Sequence, residues 1–263
     1  MKNELETKPL KMSLEQVLKA FNAAIEEAEI FLSPARSSRL QFEHCLSLDS
    51  LLHQATHLKH QAIDRCNDHD ANAFLGLECA IGAVRAELIM WILLKRDMPN
   101  EAWNRLIAAQ MACLDASRAH VIFGHCIQGF ERLVELERSL FPPQVFVSAG
   151  FISDKLDCSI CGARYSTCKH LRGKPYMGQF CEVVHSDIRA DHVAVVKTPA
   201  DKRCRVVSFK VKEGHRDRLS WEISPYKNGE VFKDDDALQA QSILLSTDRY
   251  PYLASTSEVL SPT

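Results

Sequence analysis

"FPPQVFVSAGFI", residues 141–152, marks where the chain changes texture. Pro142 and Pro143 cannot continue a helix, so whatever helix reaches Phe141 must end there. Val145, Phe146, Val147, Phe151 and Ile152 then supply the β-branched and aromatic residues of a strand. Upstream of this point the apolar residues recur at helical spacing, and downstream they gather in short β-rich runs. The expected class is therefore α+β, with an irregular N-terminal helical bundle over 1–140 and a small β-rich domain over 141–233. A short helix and a mobile C-terminal tail are expected over 234–263.

The helical half begins at a capping box, Ser13 with Gln16 three residues later. Leu14, Val17, Leu18, Phe21, Ile25, Ala28 and Phe31 or Leu32 follow at helical period. "SPARSS" at 33–38 interrupts, and a second helix is expected over about 40–66. "NDHD" at 67–70 starts a third, with Phe74, Leu77, Ile81, Val84, Leu88, Trp91 and Ile92 as its apolar face. Met98-Pro99 closes it, and two more helices are expected over about 100–118 and 121–140. No repeat period emerges, which argues for a bundle rather than a solenoid. In the second half, "QVFVSAGFI", "HVAVVKT", "CRVVSFKVK" and "LSWEI" read as strands, and "DDDALQAQSILL" from Asp234 as the short helix.

Composition is that of an ordinary globular chain: 263 residues, 46% hydrophobic, 25% charged, net charge −2. The longest apolar cluster, "LIMWILL" at 88–94, is too short to span a bilayer. No apolar run follows a basic N-terminal region, so no signal peptide is expected, and the expected location is cytoplasmic. No phosphate-binding glycine loop occurs.

Ten cysteines in such a chain need a reason. Cys45, Cys66, Cys79, Cys113 and Cys126 are scattered among apolar neighbours and read as small buried hydrophobes. "CSICGARYSTCKHLRGKPYMGQFC", residues 158–181, is different. Cys158-x2-Cys161 followed by Gly162 is a metal knuckle, two thiolates on a tight turn. The remaining ligands must come from Cys168, His170 and Cys181, so five candidates compete for the four places of a tetrahedron. Cys158, Cys161 and His170 rank first; spacing leaves open whether Cys181 or Cys168 is the fourth. No Asp or Glu lies between Cys158 and Cys181 to act as a base, and the ligands outnumber the places. The expected cofactor is therefore a structural Zn2+ that folds a segment too small to fold alone.

Three stretches together resemble part of the tailed-phage head-maturation (prohead) proteases: "FVSAGF" at 146–151, the cysteine segment at 158–181, and "HVAVVKTPAD" at 192–201. The resemblance covers about residues 146–201. It implies a zinc-binding segment and places the family's nucleophile position on Ser148. The upstream strand that supplies the family's histidine is replaced here by helices. The expectation is that the zinc segment and its flanking strands are kept as a folding or recognition module on a different body, in a phage-related or anti-phage assembly.

Charge divides with texture. Residues 158–218 hold 13 Lys and Arg against 6 Asp and Glu, a net +7, so the remainder carries −9. A basic face made of Lys169, Arg172, Lys174, Lys202, Arg203 and Arg205 is expected to meet an acidic protein partner, with nucleic acid as the alternative. The helical domain is expected to bind a second partner or another copy of itself. The expected role is a non-catalytic, zinc-stabilised interaction or scaffold protein. Rival enzyme readings are a serine protease through Ser148 and a helical ribonuclease of the HEPN type. The latter would use Arg118 with His125 or Arg39 with His44, spacings no more frequent here than chance supplies. His53, His57, His60 and Asp64 fall on one helical stripe, which with Glu78 or Glu87 would make a second metal site; a solvated face is the simpler expectation.

Overall fold

Five α-helices come first, as the apolar period requires. In the structure, a computed structural model describing residues 13–227, 229–233 and 238–260, α1 spans Leu14–Glu29, α2 Ser38–Asp64, α3 Asp68–Leu94, α4 Pro99–Ala119 and α5 Cys126–Leu140. The capping box forms: the Ser13 hydroxyl accepts from the Gln16 N–H at 3.3 Å, and the Gln16 side chain accepts from the Ser13 N–H at 3.0 Å. Leu18, Phe21, Ile25 and Ala28 are buried on one side of α1.

The third helix departs from the single-face expectation. Every residue of α3 from Ala71 to Leu93 is buried, because α1, α2 and α4 pack around it. A helix enclosed in this way must pair its charges. Glu78 accepts from Lys59 at 2.5 Å and from Thr56 at 2.6 Å. Glu87 accepts from Arg132 at 2.7 Å. Arg85 pairs with Asp49 and donates to the carbonyls of Tyr252 and Ala254 at 2.6 and 2.7 Å. The expected fifth helix also divides, into a 3-10 turn at Val121–Phe123 and then α5.

Beyond Pro143 the chain is β-rich. Strands β1 (Phe146–Cys158) and β4 (Val183–Val196) form a long two-stranded antiparallel ribbon with a bulge at Gly150/Phe151. Between them lie the cysteine segment and a small hairpin, β2 (Pro175–Tyr176) and β3 (Gln179–Phe180). A second sheet follows, ordered β7-β6-β5-β8. It is built from β5 (Val206–Val211), β6 (Gly214–Asp217), β7 (Ile223–Ser224) and β8 (Ala240–Ser242).

The C-terminal expectation is corrected on both counts. The start of the expected helix, Asp234–Ala237, lies outside the described residues. Its continuation, Ala240–Ser242, is strand β8 paired with β5, since an open sheet edge offers that backbone partners that local helix propensity does not outweigh. The expected tail is a packed strap. Tyr252 is buried against Gly82, whose missing side chain makes room for the ring; a Cβ there would meet Tyr252 Cδ2 at 2.8 Å. The Tyr252 hydroxyl donates to buried Asp115 at 2.8 Å, and Arg249 donates to both Asp115 oxygens at 3.0 and 3.1 Å. A short helix, α6 (Thr256–Leu260), ends the described chain, with the Thr256 N–H on Asp49 at 3.1 Å.

The β-rich part sits directly on the bundle. Trp103 of α4 packs edge-on against Phe141 at 5.3 Å and donates its Nε1–H to the Lys202 carbonyl at 3.0 Å. Asn100 joins Arg205, at 2.5 Å, to Asp217, at 2.8 Å. Among the described residues no helix is long and apolar enough to cross a membrane.

Candidate metal centre

The cysteine segment hangs between the two long strands. β1 ends at Cys158 and β4 begins at Val183, which are register partners, so the ribbon brings both ends of the segment together. Within it, Gly162 takes φ +69°, the left-handed turn that closes the Cys158–Cys161 knuckle. The Gly162 N–H returns to the Cys158 carbonyl at 2.9 Å. Backbone donors aim at sulfur: the Ile160 N–H at Cys158 Sγ, 3.4 Å, and the His170 N–H at Cys168 Sγ, 3.1 Å.

Four ligand atoms converge. Those of Cys158, Cys161, Cys168 and His170 all lie within 4.8 Å of one another. Cys161 and Cys168 sulfurs are 3.8 Å apart; His170 Nδ1 lies 3.6 Å from Cys158 Sγ and 3.3 Å from Cys168 Sγ. A tetrahedron with metal–sulfur bonds of about 2.3 Å has sulfur–sulfur edges near 3.8 Å, so the set fits a tetrahedral ion with three thiolates and one imidazole. The alternative the spacing leaves open resolves toward Cys168. Cys181 is buried behind Cys158, with sulfurs 3.7 Å apart, but stands outside the mutually close four.

The electrostatics differ between these thiols. Burial pushes the Cys158 thiol up, but the N–H groups of Cys161 and Ile160 and the neighbouring Cys168 and Cys181 thiols outweigh it and bring it down to about 6. Burial first, then the Cys158 sulfur, pushes Cys181 up to about 11. The two neighbouring thiols are thus shifted in opposite directions, Cys158 down and Cys181 up.

The segment is keyed to the bundle by a turn that spacing did not reveal. Met177 and Gly178, both at positive φ, form the two-residue loop between β2 and β3. Their N–H groups point at the first turn of α3: Met177 to Asp68 Oδ1 at 2.6 Å, Gly178 to Asn72 Oδ1 at 2.8 Å. "YMGQ" between two short runs was the available signal.

The expected basic face is corrected by half. Lys169, Arg172 and Lys174 are exposed around the metal loop. Lys202, Arg203 and Arg205 are not on that face; they line the junction between sheet and bundle. Lys202 donates to Glu137 at 2.6 Å. Arg203 engages both Asp201 oxygens and the Asp248 carbonyl at 2.5 Å. Arg205 is buried under Trp103, and desolvation lowers it to about 10. Positive residues counted along the chain thus include three whose charge is spent on internal partners.

The other sequence candidates stay apart. Among the described residues, the four-residue set above is the only Cys/His/Asp/Glu group placed to hold a metal. His53, His57, His60 and Asp64 are exposed on α2, while Glu78 and Glu87 are occupied by Lys59 and Arg132. Arg118 lines a cavity beside β1, and His125 lines another between α1, α3 and α5. Arg39 pairs with Glu43, and the His44 ring lies 4.2 Å from that of Phe31. The Ser148 hydroxyl has no hydrogen-bond partner among the described residues, and no histidine lines the cavity beside it.

Comparison with protein-family models, with curated proteins and with solved structures found no match.

Proposed function

We propose that the protein is a non-catalytic interaction or scaffold protein, whose metal module is held by a structural zinc ion and meets an acidic protein partner. The observation that carries this reading is the closed donor set. Cys158, Cys161, Cys168 and His170 supply four protein ligands to one point, which leaves a tetrahedral ion no open place for water or substrate. A set rich in thiolates selects zinc over the hard cations that prefer oxygen. Zinc supplies the module with folding energy, and the exposed Lys169, Arg172 and Lys174 surround it with positive charge. The phage-related or anti-phage setting rests on the resemblance of residues 146–201 alone.

Nucleic-acid binding is the weaker reading. A chain that tracks a phosphate backbone needs a continuous basic strip, and three of the six expected cations are consumed inside the fold.

The test is elemental analysis of protein purified without added metal. The expected result is about one zinc per chain, lost when Cys161 is replaced by Ser. A folded chain without metal overturns the reading; a second metal equivalent would reopen an enzyme.

A further inference from the structure

β1 is covered unevenly. On one edge β4 accompanies it throughout. On the other, a third chain segment pairs with it only at the base: the Val206 N–H donates to the Val145 carbonyl at 2.9 Å, and the Val147 N–H donates to the Cys204 carbonyl at 3.1 Å. There the third segment leaves, because Asp201–Cys204 is a turn closed by the Cys204 N–H on the Asp201 carbonyl at 3.0 Å. Since the Val147 N–H points away from β4, the two-residue alternation of a strand points the Ala149 N–H and carbonyl the same way. Among the described residues nothing pairs with β1 on that edge between Val147 and the bridge of Asp157 to Arg164 at its far end.

A cavity of about 530 Å³ begins where the third segment turns off. One wall is β1 from Val147 to Phe151; Leu114 of α4 and Leu245, just past β8, supply apolar surface opposite. Its size is that of a ligand site rather than a packing gap.

Charge polarises the cavity. Arg118, Arg172, Arg203 and Arg249 line it, with Asp201 and Asp248. Arg203 is neutralised by Asp201, and Asp248 faces Arg105. The other three guanidinium groups share two carboxylates: Arg118 and Arg249 meet at Asp115, while Arg249 and Arg172 meet at Glu182. The last contact is long, 3.8 Å, and the Arg172 side chain is 73% exposed. Arg118 Nη1 lies against Gly173, beside Arg172, so the surplus positive charge gathers at the metal-loop end.

We propose that this cavity receives an extended peptide from the protein partner as an added strand on β1, paired at Ala149, with a peptide carboxylate on Arg118 and Arg172. The inference rests on the interaction reading above and names the partner's chemistry: apolar and β-forming residues carrying an Asp or Glu. Strand addition uses the open backbone groups for affinity and the flanking side chains for selectivity.

The test is to pan a displayed library of random linear peptides on the full-length protein and measure the recovered peptides by fluorescence anisotropy. Recovered sequences are expected to carry an acidic residue within a β-branched or aromatic run. Losing one charge-assisted contact should weaken binding by about tenfold or more in Arg172→Glu. Ala149→Pro should do the same, because it removes an N–H that β4 does not use; circular dichroism and zinc content report that it folds. Lys19→Glu, exposed on α1 and outside the cavity, should bind as wild type. Peptides without acidic preference, peptides indifferent to both Arg172→Glu and Ala149→Pro, or no enrichment at all would overturn the proposal. A protein partner lost on Lys169→Glu but retained by Arg172→Glu would refute the cavity while leaving the interaction reading intact.

Discussion

Asp115 shows how one side chain can hold three parts of a chain together. It is fully buried on α4, yet it accepts from Arg118 on its own helix and from Arg249 and Tyr252 on the C-terminal strap. Arg249 reaches onward to Glu182 at 2.9 Å, at the foot of the metal module. Burial pushes the Tyr250 and Tyr252 hydroxyls up, so both stay protonated and Tyr252 serves as a donor. Removing the carboxylate would leave the Arg249 guanidinium with Glu182 alone and take the buried Tyr252 hydroxyl's carboxylate acceptor away. Asp115→Ala should therefore cost about 1–3 kcal/mol, the range for leaving a buried polar group short of its partner. Urea unfolding followed by circular dichroism reads this directly, and a loss below about 1 kcal/mol would mean the strap does not depend on this contact.

At the scale of elements, the metal segment is positioned from both ends and the middle. The β1–β4 ribbon fixes its ends, and the Met177–Gly178 turn docks its middle on Asp68 and Asn72 of α3. Gly178 sits at φ +74°, and a Cβ there would lie 3.0 Å from Lys59 Cγ and 3.3 Å from the Ala71 carbonyl. Gly178→Ala should cost about 1–2 kcal/mol from the left-handed backbone alone. Hydrogen exchange is expected to speed up across 174–181 while α3 stays protected; unchanged exchange in that hairpin would show that the turn is not what keys the module to the bundle. The same scale explains β8. Residues 240–242, "AQS", have no strand pattern of their own, and only the free edge of β5 makes them one.

The whole molecule combines two kinds of stability. The bundle has a continuous core centred on α3 and extended through Trp103, Leu106 and Phe123. Between Cys158 and Cys181, by contrast, the buried residues are Gly178, Phe180 and the two end cysteines. Such a segment cannot offset its own ordering entropy by burial, and the proposed metal would supply the difference. Treating the purified protein with a strong chelator at neutral pH should open 158–182 to protease while the far-ultraviolet helical signal persists. Loss of the helical signal at the same chelator concentration would mean that the bundle, too, is held by the metal.

Much of this was legible along the chain. The helix period, the Ser13–Gln16 capping box, Pro142-Pro143 and the Cys158-x2-Cys161-Gly162 knuckle each encode local geometry, because each acts over a few residues. The sequence alone determined the α+β order and the neighbourhood of the Cys/His cluster. The tertiary structure decided what depends on distant partners: Cys168 rather than Cys181 in the close set, the burial of α3 on all sides, and β8 in place of a helix. It also packed the C-terminal segment as a strap and turned Lys202, Arg203 and Arg205 inward. The physical reason is common to all five. Solvent access, pairing and convergence are set by which surfaces meet, and no spacing between neighbours in the chain carries that information.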